Sequence, residues 1–414
     1  MYQPIIDFIR YLYGDAPFIG LHEPRFLGNE KAYVADAIDS TFVSSIGEYV
    51  NRFESMLQDL TGAAGAVATV NGTAALHAAL VLAGVGRDDE VITQPVSFVA
   101  TANAVAYCGA RPVFLDVDRH TLGLSPDALA EFLATGVELR QDAPHNRTTG
   151  RRIGACVPMH TFGHPCQIDR IAALCSDYRI PLVEDAAESI GSTFRGSHTG
   201  TSGLCAALSF NGNKTLTCGG GGAILTQDAA LAKRAKHLTT TAKVPHPFEY
   251  VHDTVAFNYR LPNLNAALAC AQLEQLDRFL AAKRRLAETY ADYFAGLGVP
   301  FVNEPPHARS NYWLNAILLP DRKARDVFLA ETNADGVMTR PLWQLLHTLP
   351  MFRGAQTDGL ANAQWVADRL VNIPSSVVPA FLGDGTPERP AVAASDHPRP
   401  SSPVGAAPRL GTKA

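Results

Sequence analysis

The sequence predicts an α/β protein: a large domain on a mostly parallel, mixed sheet, then a small C-terminal α/β domain. Three observations carry this. Between Ala66 and about Thr226, short apolar runs alternate with helical stretches. From about Asn263, a long segment has apolar residues at helical spacing with charge between them. A second, shorter strand–helix–strand pattern follows. These features divide the chain into an N-terminal segment (1–30), the large domain (31–262), a linking helix with the small domain (263–380) and a tail (381–414).

In order, AVATV reads as a strand and TAALHAALVLAGV as a helix ending near Gly84. EVITQP is the next strand, followed by a helix through FVATANAVAY. RPVFLDV, IGACVPM and IPLVEDAA continue the series, with helical sequence between the last two. Buried strands separated by helices imply a parallel sheet covered on both faces. ALSF and AILTQD read as two shorter strands flanking a glycine-rich loop. The segment from Asn263 reads as one long helix, bent or broken in its second half. SNYWLNAILLP is a strand, RKARDVFLAETNA a helix and GVMTRPL another strand. The tail, rich in Pro, Ala, Ser and Gly, cannot bury enough surface to offset its ordering entropy and reads as disordered.

At 414 residues and 47% hydrophobic, the chain has material for a large core. A net charge of −5 gives no nucleic-acid footprint. The seven cysteines form no CxxC pair, so neither a disulfide framework nor a metal site is expected, and a reducing cytoplasmic setting is the default. Asp7 and Arg10 interrupt the N-terminal apolar residues, which argues against a signal peptide. No uncharged apolar stretch is long enough to span a bilayer.

The chemistry centres on two residues. Lys214 lies in SFNGNKTLTCGGGG, and Asp185 ends the apolar run IPLVED. A lysine beside a glycine run suits Schiff-base formation, and an acid at the end of a buried strand suits a pyridinium nitrogen. Together they point to pyridoxal 5′-phosphate (PLP), whose ring needs such an acid to draw electrons. Taken singly, the lysine is an ordinary loop lysine and the acid a capping or ion-paired one. Asn71, Gly72 and Thr73 stand between a strand and a helix, where backbone N–H groups bind phosphate, although Asn and Thr also cap helices for structural reasons. Phe98 is placed to stack on a flat ring, or to fill the core. Ser209 would offer its hydroxyl to a phosphate, and Glu188 lies three residues beyond Asp185. Lys214 would also shuttle a proton as general base.

At these residues the chain resembles the sugar aminotransferases of the DegT/DnrJ/EryC1/StrS family, PLP enzymes of the aspartate-aminotransferase fold (fold type I). NGTAALHAAL, SFVATANA, VEDAAES, SFNGNK, the glycine run and FNYRLPNLNAAL occur in the family's order between about Leu21 and Pro379. LHEPRFLGNEKAYV, HTGTSG, RPLWQLLHTLPMF and LVNIPSS resemble the LegC-like branch of bacillosamine and legionaminic acid pathways. The resemblance implies Lys214 as the Schiff-base lysine, Asp185 as the pyridine-nitrogen acid, Gly72, Thr73 and Ser209 as phosphate ligands, and Phe98 as the stacking ring. It implies that Asn258 reaches the cofactor phosphate of a neighbouring subunit, so that a homodimer shares its sites. Arg340, Trp343 and His347 fall where the C-terminal lobe faces substrate. Position 188 is Glu where many members have Gln or His, and Ala256 replaces a usual Gly.

The implied reaction moves an amino group from L-glutamate to C4 of a nucleotide-linked 4-keto-6-deoxy sugar. The LegC-like wording favours a UDP-2-acetamido-2,6-dideoxy-4-keto-hexose. A PLP-dependent sugar dehydratase on this scaffold would carry histidine in place of Lys214. A non-catalytic regulatory relative would not need an intact lysine and acid. A nicotinamide dehydrogenase would need a GxGxxG after an early strand, and none is present.

Overall fold

The structure, a computed structural model, describes residues 1–14 and 16–383. Its centre is a sheet of β1 (Gly65–Thr69), β2 (Glu90–Thr93), β3 (Arg111–Phe114), β4 (Ile153–Val157), β5 (Val183–Asp185), β6 (Cys205–Ser209) and β7 (Gly222–Thr226). The spatial order is β1-β7-β6-β5-β4-β2-β3. Single parallel bridges, Cys156 to Leu182 and Met159 to Asp185, join the two hydrogen-bonded groups of strands. Only β7 runs antiparallel, pairing Thr69 and Ser209 with Gly222 on its two sides. The other ladders are parallel, as the alternation of strands and helices predicts. Their residues are buried on both faces, Arg111 and the half-buried Ser209 excepted, which is why the strands read as continuous apolar runs.

Alternate strand residues face opposite helical layers. Val67, Ala207 and Ile224 pack with α4 (Gly72–Leu82), α5 (Ala100–Tyr107) and α8 (Ala229–Thr239). Ala68, Ala206 and Leu225 pack with α3 (Glu48–Thr61) and α9 (Asn263–Leu273). The parallel strands direct their carboxyl ends to one edge, so Asn71, Ser97, Asp185 and Ser209 gather there, where ligands bind in open α/β sheets.

The linking helix is divided after Leu273, nearer its start than the sequence pattern suggested. The α9 half packs in the large-domain core, whereas α10 (Leu276–Leu297) packs its Phe279, Leu286, Tyr290 and Phe294 in the small lobe. No Gly or Pro marks the division. Instead the Glu274 carboxylate is drawn off by Asn29, Tyr33 and Arg52 of neighbouring elements. The small lobe has a three-stranded antiparallel sheet, β8 (Asn315–Leu318), β10 (Leu370–Ile373) and β9 (Arg340–Pro341) in that spatial order, beside α11 (Arg322–Ala334). The strand expected from GVMTRPL is thus only two residues long.

The N-terminal helix α1 (Gln3–Tyr13) completes this lobe. Its Ile5, Ile6, Phe8, Ile9 and Leu12 join the α10, α11 and β10 core, each contributing about 2 kcal/mol of burial. The ordered chain also runs past the expected start of the tail, since Phe381 is buried in the same core. The disordered tail expected over 381–414 otherwise lies, from residue 384, outside the described residues. Among the described residues no helix is long and apolar enough to cross a membrane.

Candidate active site

Asp185 is the last residue of β5 and is 4% exposed. Thr101 donates its hydroxyl to Asp185 Oδ2 at 2.7 Å, and the Ala187 N–H donates to Oδ1 at 3.2 Å. Burial raises the Asp185 pKa, while these donors and the Lys214 charge pull it down. A cationic N–H at the sheet edge would stabilise the ionised form.

Lys214 follows β6. Its Nζ donates to Glu188 Oε1 at 3.1 Å and lies 3.9 Å from the centroid of the Trp313 ring. The Glu188 side chain is fully buried, and its Oε2 accepts the Phe162 N–H at 2.9 Å. Burial pushes Glu188 up to about 7, against the opposing pull of Lys214 and Phe162. Trp313 is fixed by its indole N–H on the Asn213 carbonyl at 2.6 Å. Asn311 ties the same segment to the Glu188 and Ile190 carbonyls. Beneath it, the wholly buried Lys283 donates to the Trp313 and Ser375 carbonyls.

His22 faces the same place. Burial, with Lys283 and Lys214 beside it, holds its imidazole well below the usual range. Its ring lies by the Asn213 backbone, but neither buried ring nitrogen closes a well-formed hydrogen bond. The flanking chain is held by Ser375 N–H on the Leu21 carbonyl and by the Glu23 N–H on Ser376 Oγ.

A cradle lies beside this cluster. Asn71 caps α4 by accepting the Ala74 N–H at 2.8 Å, so its side chain has a structural role. Gly72 and Thr73 form the first turn of α4, where the helix dipole favours an anion. A Cβ on Gly72 would stand 2.7 Å from Ser209 Cβ, and one on Gly222 would stand 2.5 Å from the Asn71 carbonyl. Both glycines allow backbone and Ser209 to converge on a space of anion-binding character. A buried acid, a lysine and such a cradle fit the ring, aldehyde and phosphate of PLP in chemistry and order.

Phe98 precedes α5 with about half its surface exposed, and its ring is 6.5 Å from Trp343. Trp343 also meets Phe162 at 5.1 Å, so it bridges the small lobe to the sheet edge. His347 follows a backbone hydrogen bond from Leu346 to the Pro95 carbonyl, and its buried Nδ1 has no partner among the described residues. Arg340 is exposed and hydrogen-bonds Asn333 and Thr339 within its own lobe, away from the Lys214 cluster. Asn258 is exposed and accepts from Arg260 at 3.1 Å. Sequence reasoning assigned no role to Thr101, Trp313 or His22. Thr101 and His22 lie inside quoted motifs, SFVATANA and LHEPRF, whereas Trp313 was read only as part of a strand.

Residues 26–379 match the profile of the DegT/DnrJ/EryC1/StrS aminotransferase family. The chain is 35% identical to GDP-perosamine synthase of Caulobacter vibrioides over 87% of its own length and 94% of that protein. Among solved structures, the aminotransferase TlmJ from Streptoalloteichus hindustanus superposes with a TM-score of 0.78 at 28% identity, covering 86% of this chain and 93% of TlmJ. DesI, solved in the presence of its TDP-sugar product, gives 0.74 at 26% identity, covering 88% and 90%.

Proposed function

The chain belongs to the DegT/DnrJ/EryC1/StrS aminotransferase family, and from that premise we propose that it moves the amino group of L-glutamate to C4 of a nucleotide-linked 4-keto-6-deoxy sugar. The enzyme is a PLP-dependent sugar aminotransferase. The observation that carries the reading is the convergence of Asp185, Lys214 and the Gly72–Ser209 cradle at one sheet edge.

When bound, PLP supplies the carbonyl that takes up the amino group and a ring that draws electrons from the bond being broken. In this reading Asp185, steered by Thr101, keeps the ring nitrogen protonated. Gly72, Thr73 and Ser209 would hold the phosphate, and Phe98 would pack on the ring. Lys214 would hold the cofactor through its Nζ and move the proton at the substrate carbon, with Trp313 and Glu188 fixing the place of that Nζ. Trp343, His347 and, after a movement of its side chain, Arg340 meet the sugar nucleotide. Asn258 serves the phosphate of a second subunit's cofactor, which makes the working unit a homodimer.

For the sugar we propose UDP-2-acetamido-2,6-dideoxy-4-keto-hexose, on the strength of the LHEPRF, HTGTSG and LVNIPSS wording. The similarity to GDP-perosamine synthase makes a GDP-linked keto sugar the competing substrate to test beside it. The purified protein should be yellow, should bleach on addition of L-glutamate and, once freed of 2-oxoglutarate, should recover its colour when the right keto sugar is added. Turnover of the GDP sugar alone would replace the UDP assignment. A protein left colourless after PLP is supplied would remove the site assignment.

A further inference from the structure

Glu188 and Lys214 form an ion pair with almost no water. The glutamate side chain is fully buried and the lysine side chain 12% exposed. An ionised carboxylate accepts about four hydrogen bonds. Here the structure shows two, from Lys214 to Oε1 and from the Phe162 N–H to Oε2. The second is supplied by strained backbone, since Phe162 has φ 58 in the left-handed region. The next residue, Gly163, could not carry a Cβ, which would stand 1.8 Å from Asn311 Oδ1. A carboxyl this dry and this sparsely bonded is a ready proton acceptor, because the neutral acid needs less solvation than the anion.

We infer that Glu188 is the proton acceptor that converts Lys214 from ammonium to free amine. The proton crosses the existing 3.1 Å hydrogen bond. The Nζ–H bond breaks, an Oε1–H bond forms, and the ion pair becomes a neutral acid beside a neutral amine with no change in total charge. The amine can then attack a carbonyl, and the acid holds the proton for return. A glutamine at this position would orient Nζ equally well but could not take the proton, so the choice of Glu carries chemical consequence.

The surroundings favour the exchange. Asp185, at the end of β5, is the other acid facing the pair, and its negative charge disfavours a second anion on Glu188. His22, from the connector ahead of α2 (Glu30–Asp39), and Lys283, from α10, stand on the lysine side. Burial keeps His22 neutral, so it does not compete for the proton. The Trp313 face, 3.9 Å from Nζ, favours the ammonium and so opposes the exchange, but it cannot accept the proton itself.

The inference rests on the PLP reading only for its first test, the rate of PLP association with apoprotein as a function of pH, followed by the yellow band. In the wild type the rate rises to a plateau near neutral pH. Glu188→Gln should lose that limb and associate ~100-fold more slowly at pH 7.5, the low end of general-base contributions. Glu188→Asp should recover part of it. Equal or faster association by Glu188→Gln overturns the inference, whereas a wild type that never turns yellow overturns the PLP reading instead.

The second test needs no cofactor. Carboxyl 13C NMR of glutamate-labelled apoprotein, assigned with Glu188→Gln, follows the Glu188 proton directly. Lys214→Met should raise the pH at which Glu188 titrates by ~1 unit or more, because its cationic partner is gone. Lys214→Arg should not. Identical Glu188 titration in wild type and Lys214→Met refutes proton coupling whatever the variants do to activity.

Discussion

Gly72→Ala separates cofactor binding from folding. The added Cβ would stand 2.7 Å from Ser209 Cβ and 3.0 Å from its hydroxyl oxygen. Apolar heavy atoms ordinarily meet near 4 Å, so Ser209 must retreat by about 1 Å. A hydroxyl displaced that far loses its hydrogen bond to a phosphate oxygen, and bonds to charged groups contribute ~1.5–3 kcal/mol. That loss converts to ~10- to 150-fold weaker PLP binding. The apoprotein's own loss must be read separately, because Ser209 Cβ is fixed to the β6 backbone paired with Gly222 and can retreat only with it, against a gain of up to ~1 kcal/mol for alanine over glycine in a helix. The control is Gly220→Ala, whose Cβ would meet nothing nearer than the Val70 carbonyl oxygen at 3.9 Å and which should bind PLP like the wild type. Spectrophotometric titration of apoprotein gives the affinity, and urea unfolding of the same samples gives the stability. If Gly72→Ala binds within threefold of wild type, the phosphate does not sit between α4 and Ser209.

Asp185→Asn should keep the yellow colour, since the cradle and Lys214 remain, yet lose ~10²–10³-fold in amino transfer for want of an aimed charge; stopped-flow with L-glutamate reads this. Trp313→Phe keeps an aromatic face under Lys214 but leaves the Asn213 carbonyl without its 2.6 Å indole donor, so chemical denaturation should show a loss of ~1–2 kcal/mol. Acid should weaken the fold through His164 and His198, each held near 4 by burial. Their folded pKa values lie below the unfolded value, so the stabilisation is present above about pH 6.5 and is lost as pH falls towards 4, up to ~2 kcal/mol each by pH 5. His164→Leu should flatten the fall in urea midpoint between pH 7 and 5; an unchanged slope would exclude His164 as a contributor. Glu188 works in the opposite sense: its raised pKa stabilises the folded state below about 4.5 and that term is lost as pH rises towards 7.

The sheet and the Asp185–Lys214 pair were legible because both are local in sequence. Apolar runs mark buried parallel strands, and the reversal of β7 follows from the short loop that carries Lys214. What escaped depends on contacts between distant residues or on turns without their usual residues. A hairpin over Val137–Arg140 and Ala143–Asn146 interrupts the βα series. Its turn places Gln141 and Asp142 at positive φ, where Gly and Asn are the recognisable signals. At the division after Leu273, Glu274 meets Asn29, just ahead of α2, and Arg52 of α3, contacts that nothing in the helical periodicity marks. Trp313 and His22 join the Lys214 cluster from segments about a hundred and about two hundred residues away, so no motif spacing could pair them. The tail was read from composition alone, and from residue 384 that expectation lies outside the described residues.

The docking of α1 into the small lobe has a consequence for how the protein is made. The helix is synthesised well before the elements it packs on: Met1 meets Glu331, 330 residues downstream. At roughly 5–20 residues per second, synthesis of that interval takes roughly 15 to 65 s. Throughout it, Ile5, Ile6, Phe8, Ile9 and Leu12 form an apolar stripe with no native surface to cover it. The large domain can close its sheet meanwhile, while the uncovered stripe remains a target for holding chaperones. Capture of α1 therefore waits for synthesis of the small lobe, and the lobe over Lys214 is complete only then.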